Sequence, residues 1–171
     1  MGKVLMRNIW ALMLVLLSSC AAVGPVPPVD RPSYRNLSTP ITSVALFDLA
    51  KFAGSWQVIS GYGNSYCGLE VAMDASAAKW AERSCAGGLT VGIATASGPG
   101  RFTVNSGANK GLEHWVMWVD QTYRTAVIGT PDGSFGMILN RDRNIPADRM
   151  KAAREILDWN GYDLSQLRPP S

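Results

Sequence analysis

Beyond residue 54 apolar and polar side chains alternate in runs of five to nine residues, each closed by turn-forming residues. Alternation with period two marks strands with one buried face. The pattern predicts strands at Gly54–Tyr62, Gly68–Asp74, Lys79–Ser84, Leu89–Thr95, Arg101–Asn105, Glu113–Val119, Tyr123–Gly129 and Ser134–Asn140. Breaks such as Gly63-Asn64-Ser65, Gly87-Gly88, Ser97-Gly98-Pro99-Gly100 and Pro131-Asp132-Gly133 carry the turn chemistry between them. Runs about ten residues apart fit a meander, a sandwich or a barrel. The short connections favour an up-and-down order, and eight such strands close into a barrel that leaves no exposed edge. One helix follows the last strand. Pro146 suits its first position, Asn160-Gly161 its stop, and Met150, Ala153, Ile156 and Leu157 fall on one face. That face packs most simply on the outside of the barrel.

The first nineteen residues stand apart from this pattern. Lys3 and Arg7 precede an apolar run from Ile9 to Leu17, and small residues lead to Cys20. This is the layout of an export signal, and nine apolar residues are too few to span a bilayer. Leu17-Ser18-Ser19-Cys20 resembles a bacterial lipobox. The resemblance implies cleavage before Cys20 and its acylation, and more than one acyl chain anchors stably. Ala21, where Asp is absent, then implies the outer membrane, with the domain facing the periplasm. The alternative is an ordinary signal with an incidental cysteine. Residues 20–46 hold Pro25, Pro27, Pro28, Pro32 and Pro40. Such a stretch reads as an extended tether, the twenty residues 21–40 alone reaching ~60 Å at ~3.1 Å per residue. The expected organisation is thus a signal over 1–19, an acylated tether over 20–46 and a single domain over 47–171.

Composition agrees with a globular domain: 47% of residues are hydrophobic and 17% charged. The formal charge of +3 overstates the mature chain, since loss of Lys3 and Arg7 leaves 14 basic against 13 acidic residues, a net +1. No basic stripe offers itself to nucleic acid. Export bears on the remaining cysteines, Cys67 and Cys85. Opposed residues of a hairpin share a constant sum of positions, and this pair centres its turn on Ser76, within the break at Asp74–Ala78. A disulfide is expected there, worth ~3 kcal/mol in the chain-entropy model, with two buried thiols as the alternative. Two cysteines and the single His114 are too few ligands for a metal site, and no cofactor is expected.

Phe47-Asp48-Leu49-Ala50-Lys51-Phe52-Ala53-Gly54-Ser55-Trp56 resembles the opening motif of lipocalins, a helical turn leading into Gly-X-Trp. Asp120-Gln121-Thr122-Tyr123 resembles their loop between the sixth and seventh strands, and Ile138-Leu139-Asn140-Arg141 the end of their eighth. The helix and Gly161-Tyr162-Asp163 follow as in bacterial outer-membrane lipocalins, so the likeness covers Phe47 to Leu167. It implies an all-β, eight-stranded up-and-down antiparallel lipocalin barrel with one C-terminal α-helix. It also implies that Gly54, Trp56 and Arg141 form a structural trio at the closed end, the guanidinium stacked on the indole. Gln121, where an acid is more usual, and Trp56-Gln57 in place of Trp-Tyr depart from the pattern.

Strand parity, anchored on Trp56 and Arg141, turns Val58, Ser60, Tyr62, Phe135 and Met137 inward. The lipocalin resemblance, carried to the sixth and seventh strands, implies that His114, Val116, Trp118, Ala126 and Ile128 join them as ligand-binding residues. The set is mostly apolar and aromatic, which suits a fatty acid such as palmitate or a lysophospholipid-like molecule. As a lone histidine His114 reads first as a satisfied wall residue and not as a base; inside the cavity it is able to hydrogen-bond a carboxylate head group. The reading that follows is a non-enzymatic lipid carrier anchored in the membrane, serving lipid transport or membrane maintenance. The alternatives are a structural or partner-binding lipoprotein with a filled barrel, and a lipid-modifying enzyme. Ser106 and Ser134 have no evident base to activate them, which weighs against the last.

Overall fold

The computed structural model describes residues 31–63, 66–74, 77–105 and 110–171. The export segment, Cys20 and the first part of the tether lie outside them. A single helical turn, α1 (Leu49–Phe52), is capped by Asp48, whose carboxylate accepts the Lys51 N–H at 3.2 Å. Eight strands follow in chain order: β1 (Gly54–Tyr62), β2 (Tyr66–Asp74), β3 (Ala77–Ser84), β4 (Leu89–Gly98), β5 (Arg101–Asn105), β6 (Leu112–Val119), β7 (Thr125–Gly129) and β8 (Gly136–Asn140). Each pairs antiparallel with the next, and β8 returns to β1 to close the barrel. Helix α2 (Ala147–Trp159) comes last, before a short 3-10 turn at Leu164–Gln166. This is the architecture the alternation predicts.

The start of β1, the end of β8 and the β6–β7 turn meet at one end, the closed end. The β1–β2, β3–β4, β5–β6 and β7–β8 connections gather at the other, the open end. The Asp120 carboxylate ties the β6–β7 turn by accepting the N–H groups of Arg124 and Thr125, each at 2.6 Å.

Two cores lie on opposite sides of the sheet. The inner one is led by Trp56, Leu69, Trp80, Phe102, Phe135 and Leu139. The outer one forms where α2 lays Ala153 and Leu157 on Met117, Val127 and Ile138. Pro146 precedes the helix instead of occupying its first turn. Gly161 ends it at φ +83°, a conformation that favours glycine.

Four β-bulges interrupt the ladders, and two of them overturn parts of the parity assignment. Val58 pairs with Leu139, but the next pair is Ser60 with Ile138. The extra residue, Ile59, turns Ser60 and Tyr62 to the outer face, where Tyr62 packs on Tyr162 at 5.2 Å. In the same way Val116 pairs with Ile128 and Trp118 with Val127, so Met117 is the extra residue and Trp118 faces outward under α2. Ser60, Tyr62 and Trp118 therefore do not line the interior.

The tether also needs correcting. Residues 31–46 lie along the barrel. Tyr34 N–H donates to Gly133 O at 2.8 Å, Asn36 N–H to Gly161 O at 2.8 Å and Val44 N–H to Val116 O at 2.9 Å. Arg35, only 8% exposed, donates to the Asn160, Pro131 and Thr39 carbonyls. Pro32 and Pro40 interrupt any helix there, and the segment satisfies part of its backbone on the barrel instead.

Cys67 and Cys85 form a disulfide with Cα atoms 4.9 Å apart. The register differs by one from the sum of positions: Leu69 pairs with Glu82, and Cys67 occupies a bulge between Tyr66 and Gly68. The bulge brings the sulfurs together at the open end.

Candidate functional site

At the closed end Gly54 opens β1 at φ +105°, and a side chain there would meet the Arg141 guanidinium at 3.1 Å. Glycine is required twice over, by backbone angle and by space. Trp56 points inward and donates its indole N–H to Phe52 O at 2.8 Å. The Arg141 guanidinium lies 3.7 Å from the Trp56 ring centre. It donates to Lys51, Phe52, Ala53 and Ser55 carbonyls at 2.8–3.1 Å and to Tyr123 O at 3.2 Å. A cation here collects the free carbonyls at the end of α1, and its stacking on indole adds about 0.5–2 kcal/mol. These contacts seal the barrel and leave no group free for chemistry.

Above this seal the interior is a chain of rings. Trp80 lies 6.3 Å from Phe102 and 5.6 Å from His114; His114 lies 5.2 Å from Phe135, and Phe135 6.2 Å from Tyr66. Two polar side chains share this space. Glu82, 1% exposed, accepts the Trp80 indole N–H at 3.2 Å. His114, 0% exposed, places Nδ1 3.3 Å from Leu112 O. That contact makes Nδ1 the protonated nitrogen and leaves Nε2 an acceptor, and no hydrogen-bond partner meets Nε2. Burial pushes the imidazole down to about 4, so the ring is neutral at ordinary pH.

Among the described residues the wall opens between β1 and β2. The β1–β2 ladder runs from Gly54 paired with Val71 to Gln57 paired with Gly68 and stops there. Above it β1 continues to Tyr62 while β2 lies apart. The C-terminal segment covers the free edge of β1: Gly61 N–H donates to Arg168 O at 2.8 Å and Arg168 N–H returns to Gly61 O at 3.1 Å. A cavity of about 360 Å³ lies in this gap, with Val58, Tyr62 and Tyr66 on the barrel side and Arg168, Pro169 and Pro170 on the other. A second, of about 250 Å³, shares Val58 and Pro170 with it. Val58 belongs to the inner core and Tyr66 packs against it, so the gap reaches the inner wall. The larger volume falls at the low end of small-molecule sites, ~300–1,000 Å³.

The lipocalin-like domain family matches residues 100–171. Temperature-induced lipocalin-1 of Arabidopsis thaliana is 34% identical over 55 residues, 32% of this chain, and the match spans only 30% of that protein's length. Among solved structures, lobster apocrustacyanin A1 superposes with a TM-score of 0.57 at 15% identity, over 81% of this chain and 91% of that one. The cockroach allergen Per a 4 gives 0.57 at 13% identity, over 80% and 96%. The barrel has the lipocalin fold.

Within this lipocalin barrel the expected lining separates into two groups. Val58, Val116, Ala126, Ile128, Phe135 and Met137 are in the inner core with His114 among them. Ser60, Tyr62 and Trp118 are outside it, although Tyr62 returns as a wall of the gap. Parity anchored on the first and last strands left β3 unassigned, and with it Trp80 and Glu82. Ala78, Trp80 and Glu82 alternate with Lys79 and Arg83, and that alternation is the signal that finds them. Gly92 stands opposite Trp80 on β4 and makes room for the indole.

Proposed function

We propose that this protein is a carrier of small apolar molecules, taken up at the open end between β1 and β2 and held against the ring-lined interior. The cavity at that gap, whose inner wall is also the wall of the barrel core, carries the proposal. A single-chain lipid of the fatty acid or lysophospholipid kind suits a mixed polar and apolar mouth above a ring-lined, apolar core. Each buried CH₂ contributes about 0.8 kcal/mol to holding it. The lipobox-like Leu17–Cys20 adds a membrane anchor to this reading and places the carrier at the outer membrane, facing the periplasm, in lipid transport or membrane maintenance. The interior supports binding over catalysis: the rings beside His114 are Trp80 and Phe135, and neither is a nucleophile.

A filled barrel acting as a partner-binding protein is the second reading. The inner core side chains from Trp56 to Leu139 are almost fully buried, as in a packed interior. Leu89, Val91 and Ile93, on the outer face of β4, are each more than half exposed.

Lipid extracted from the purified mature protein and identified by mass spectrometry tests the proposal, together with titration of tryptophan fluorescence by palmitate. A stoichiometric lipid and a saturable change from the interior Trp56 and Trp80 are expected. Empty protein that responds to no single-chain lipid establishes the filled barrel.

A further inference from the structure

We infer that the interior selects, among apolar molecules, those that carry a neutral O–H donor, and that Nε2 of His114 is the atom that reads it. This deepens the carrier reading and rests on it. The inner N–H donors are spent: Trp56 Nε1 on Phe52 O, Trp80 Nε1 on Glu82 and His114 Nδ1 on Leu112 O. With those donors engaged, the imidazole Nε2 of His114 is a buried acceptor on this wall that meets no hydrogen-bond partner among the described residues. A buried acceptor without a partner is costly, and a ligand that supplies a donor removes that cost. An ionised carboxylate brings only acceptors to the same wall. A neutral ring whose one proton is already directed at Leu112 has no donor left for an ionised carboxylate head group.

The route to Nε2 is short. Tyr66 forms part of the cavity between β1 and β2, packs edge-on against Phe135, and Phe135 covers His114. The Phe135 backbone is pinned, its carbonyl accepting the Tyr162 hydroxyl at 2.8 Å. Admission thus needs the Phe135 ring to swing about its own side-chain torsions while the strand stays in place. An alkyl chain then replaces ring contacts in the wall, and its terminal hydroxyl donates to Nε2.

Two probes of equal chain length separate the donor from the chain: 1-dodecanol and dodecyl methyl ether. Both are titrated by tryptophan fluorescence into the full mature protein, its His114→Phe and its His114→Gln variants. The alcohol is expected to bind at least tenfold more tightly than the ether. His114→Phe should bring the two within twofold of each other, and His114→Gln, which restores an acceptor oxygen, should recover a preference. Imidazole ¹⁵N spectra should show the Nε2 resonance moving with the alcohol and not with the ether. Equal binding of both probes by the native protein, or a preference that survives in His114→Phe, overturns the inference while leaving the carrier intact. Binding of neither probe overturns the carrier reading itself.

Discussion

The two ends of this barrel are built from different materials. At the closed end Arg141 reaches five backbone carbonyls and stacks on Trp56. Each nitrogen of the guanidinium has a backbone acceptor, and the ring it covers is buried beneath it. At the open end β1 and β2 part company, a single disulfide joins the start of β2 to the residue after β3, and a strand of tail substitutes for a missing neighbour. Directional polar contacts hold one end, while the other relies on rings, one covalent link and a replaceable segment. The difference teaches where the fold is stored and where it can move. The denser set of directional contacts belongs to the closed end, and the proposed site belongs to the end that is least tied.

The largest effect should come from breaking the seal. Trp56→Ala removes a fully buried indole and leaves the Arg141 guanidinium without its stack. A loss of about 3–5 kcal/mol is expected in urea unfolding, the usual range for such truncations. A loss below ~1 kcal/mol would mean that the closed end does not carry the fold. Next comes the open end's covalent tie. Replacing Cys67 and Cys85 by serine should cost about 2–4 kcal/mol. Hydrogen exchange should rise in Tyr66–Gly68 and Ser84–Leu89 and stay unchanged at Gly54–Gln57.

His114 gives the comparison a pH coordinate. Its folded value is depressed to about 4 from the ordinary 6.5 because burial disfavours the charged ring. The unfolded chain therefore binds a proton more readily than the folded one, and stability rises with pH across that window. The contribution is complete above pH ~6.5 and is lost as pH falls towards 4, at about 1.4 kcal/mol per unit. Urea unfolding at pH 4.5 should thus show about 2–3 kcal/mol less stability than at pH 7. His114→Gln should flatten that slope. An unchanged slope in the variant would show that the ring is reached by water and is not enclosed by Trp80 and Phe135.

The closed end was also the legible end. Gly54, Trp56 and Arg141 are chemically demanding positions: a positive φ, a large ring and a forked cation have few substitutes, so the residue types announce the geometry. The strands were legible because their turns use glycine, asparagine and aspartate. Ser60 and Tyr62 towards the open end, and Trp118 close to the β6–β7 turn of the closed end, were misread for one physical reason. A bulge adds a residue and reverses every side chain beyond it. Ile59 and Met117, which carry the two bulges, are ordinary apolar strand residues with no glycine to mark them. The disulfide was anticipated by a register that proved one residue off, because the bulge at Cys67 supplies the difference. Glu82 escaped because β3 has no motif to fix its faces, and Arg35 because a proline-rich segment shows no periodicity even where its backbone bonds to the barrel.

The smallest effect on stability should come from the tail. Removing Pro169–Ser171 takes away residues that line the gap cavity but leaves the Arg168–Gly61 pair in place. Exposed terminal residues contribute little to the fold, so the unfolding midpoint should shift by less than ~0.5 kcal/mol. Uptake should respond far more. If ligands pass between β1 and β2, the tail and the ring of Tyr66 stand in their path, and stopped-flow association of a single-chain lipid should accelerate severalfold in the truncated protein. Affinity should change less than rate, because Val58, Phe135 and the rings below them still make the contacts that hold the chain. If truncation leaves the association rate unchanged, the gap is not the route, and the opening must lie over the top of the barrel instead, between the β3–β4 and β5–β6 connections. That outcome would preserve the contrast between the two ends but move the mobile part of the open end away from β1.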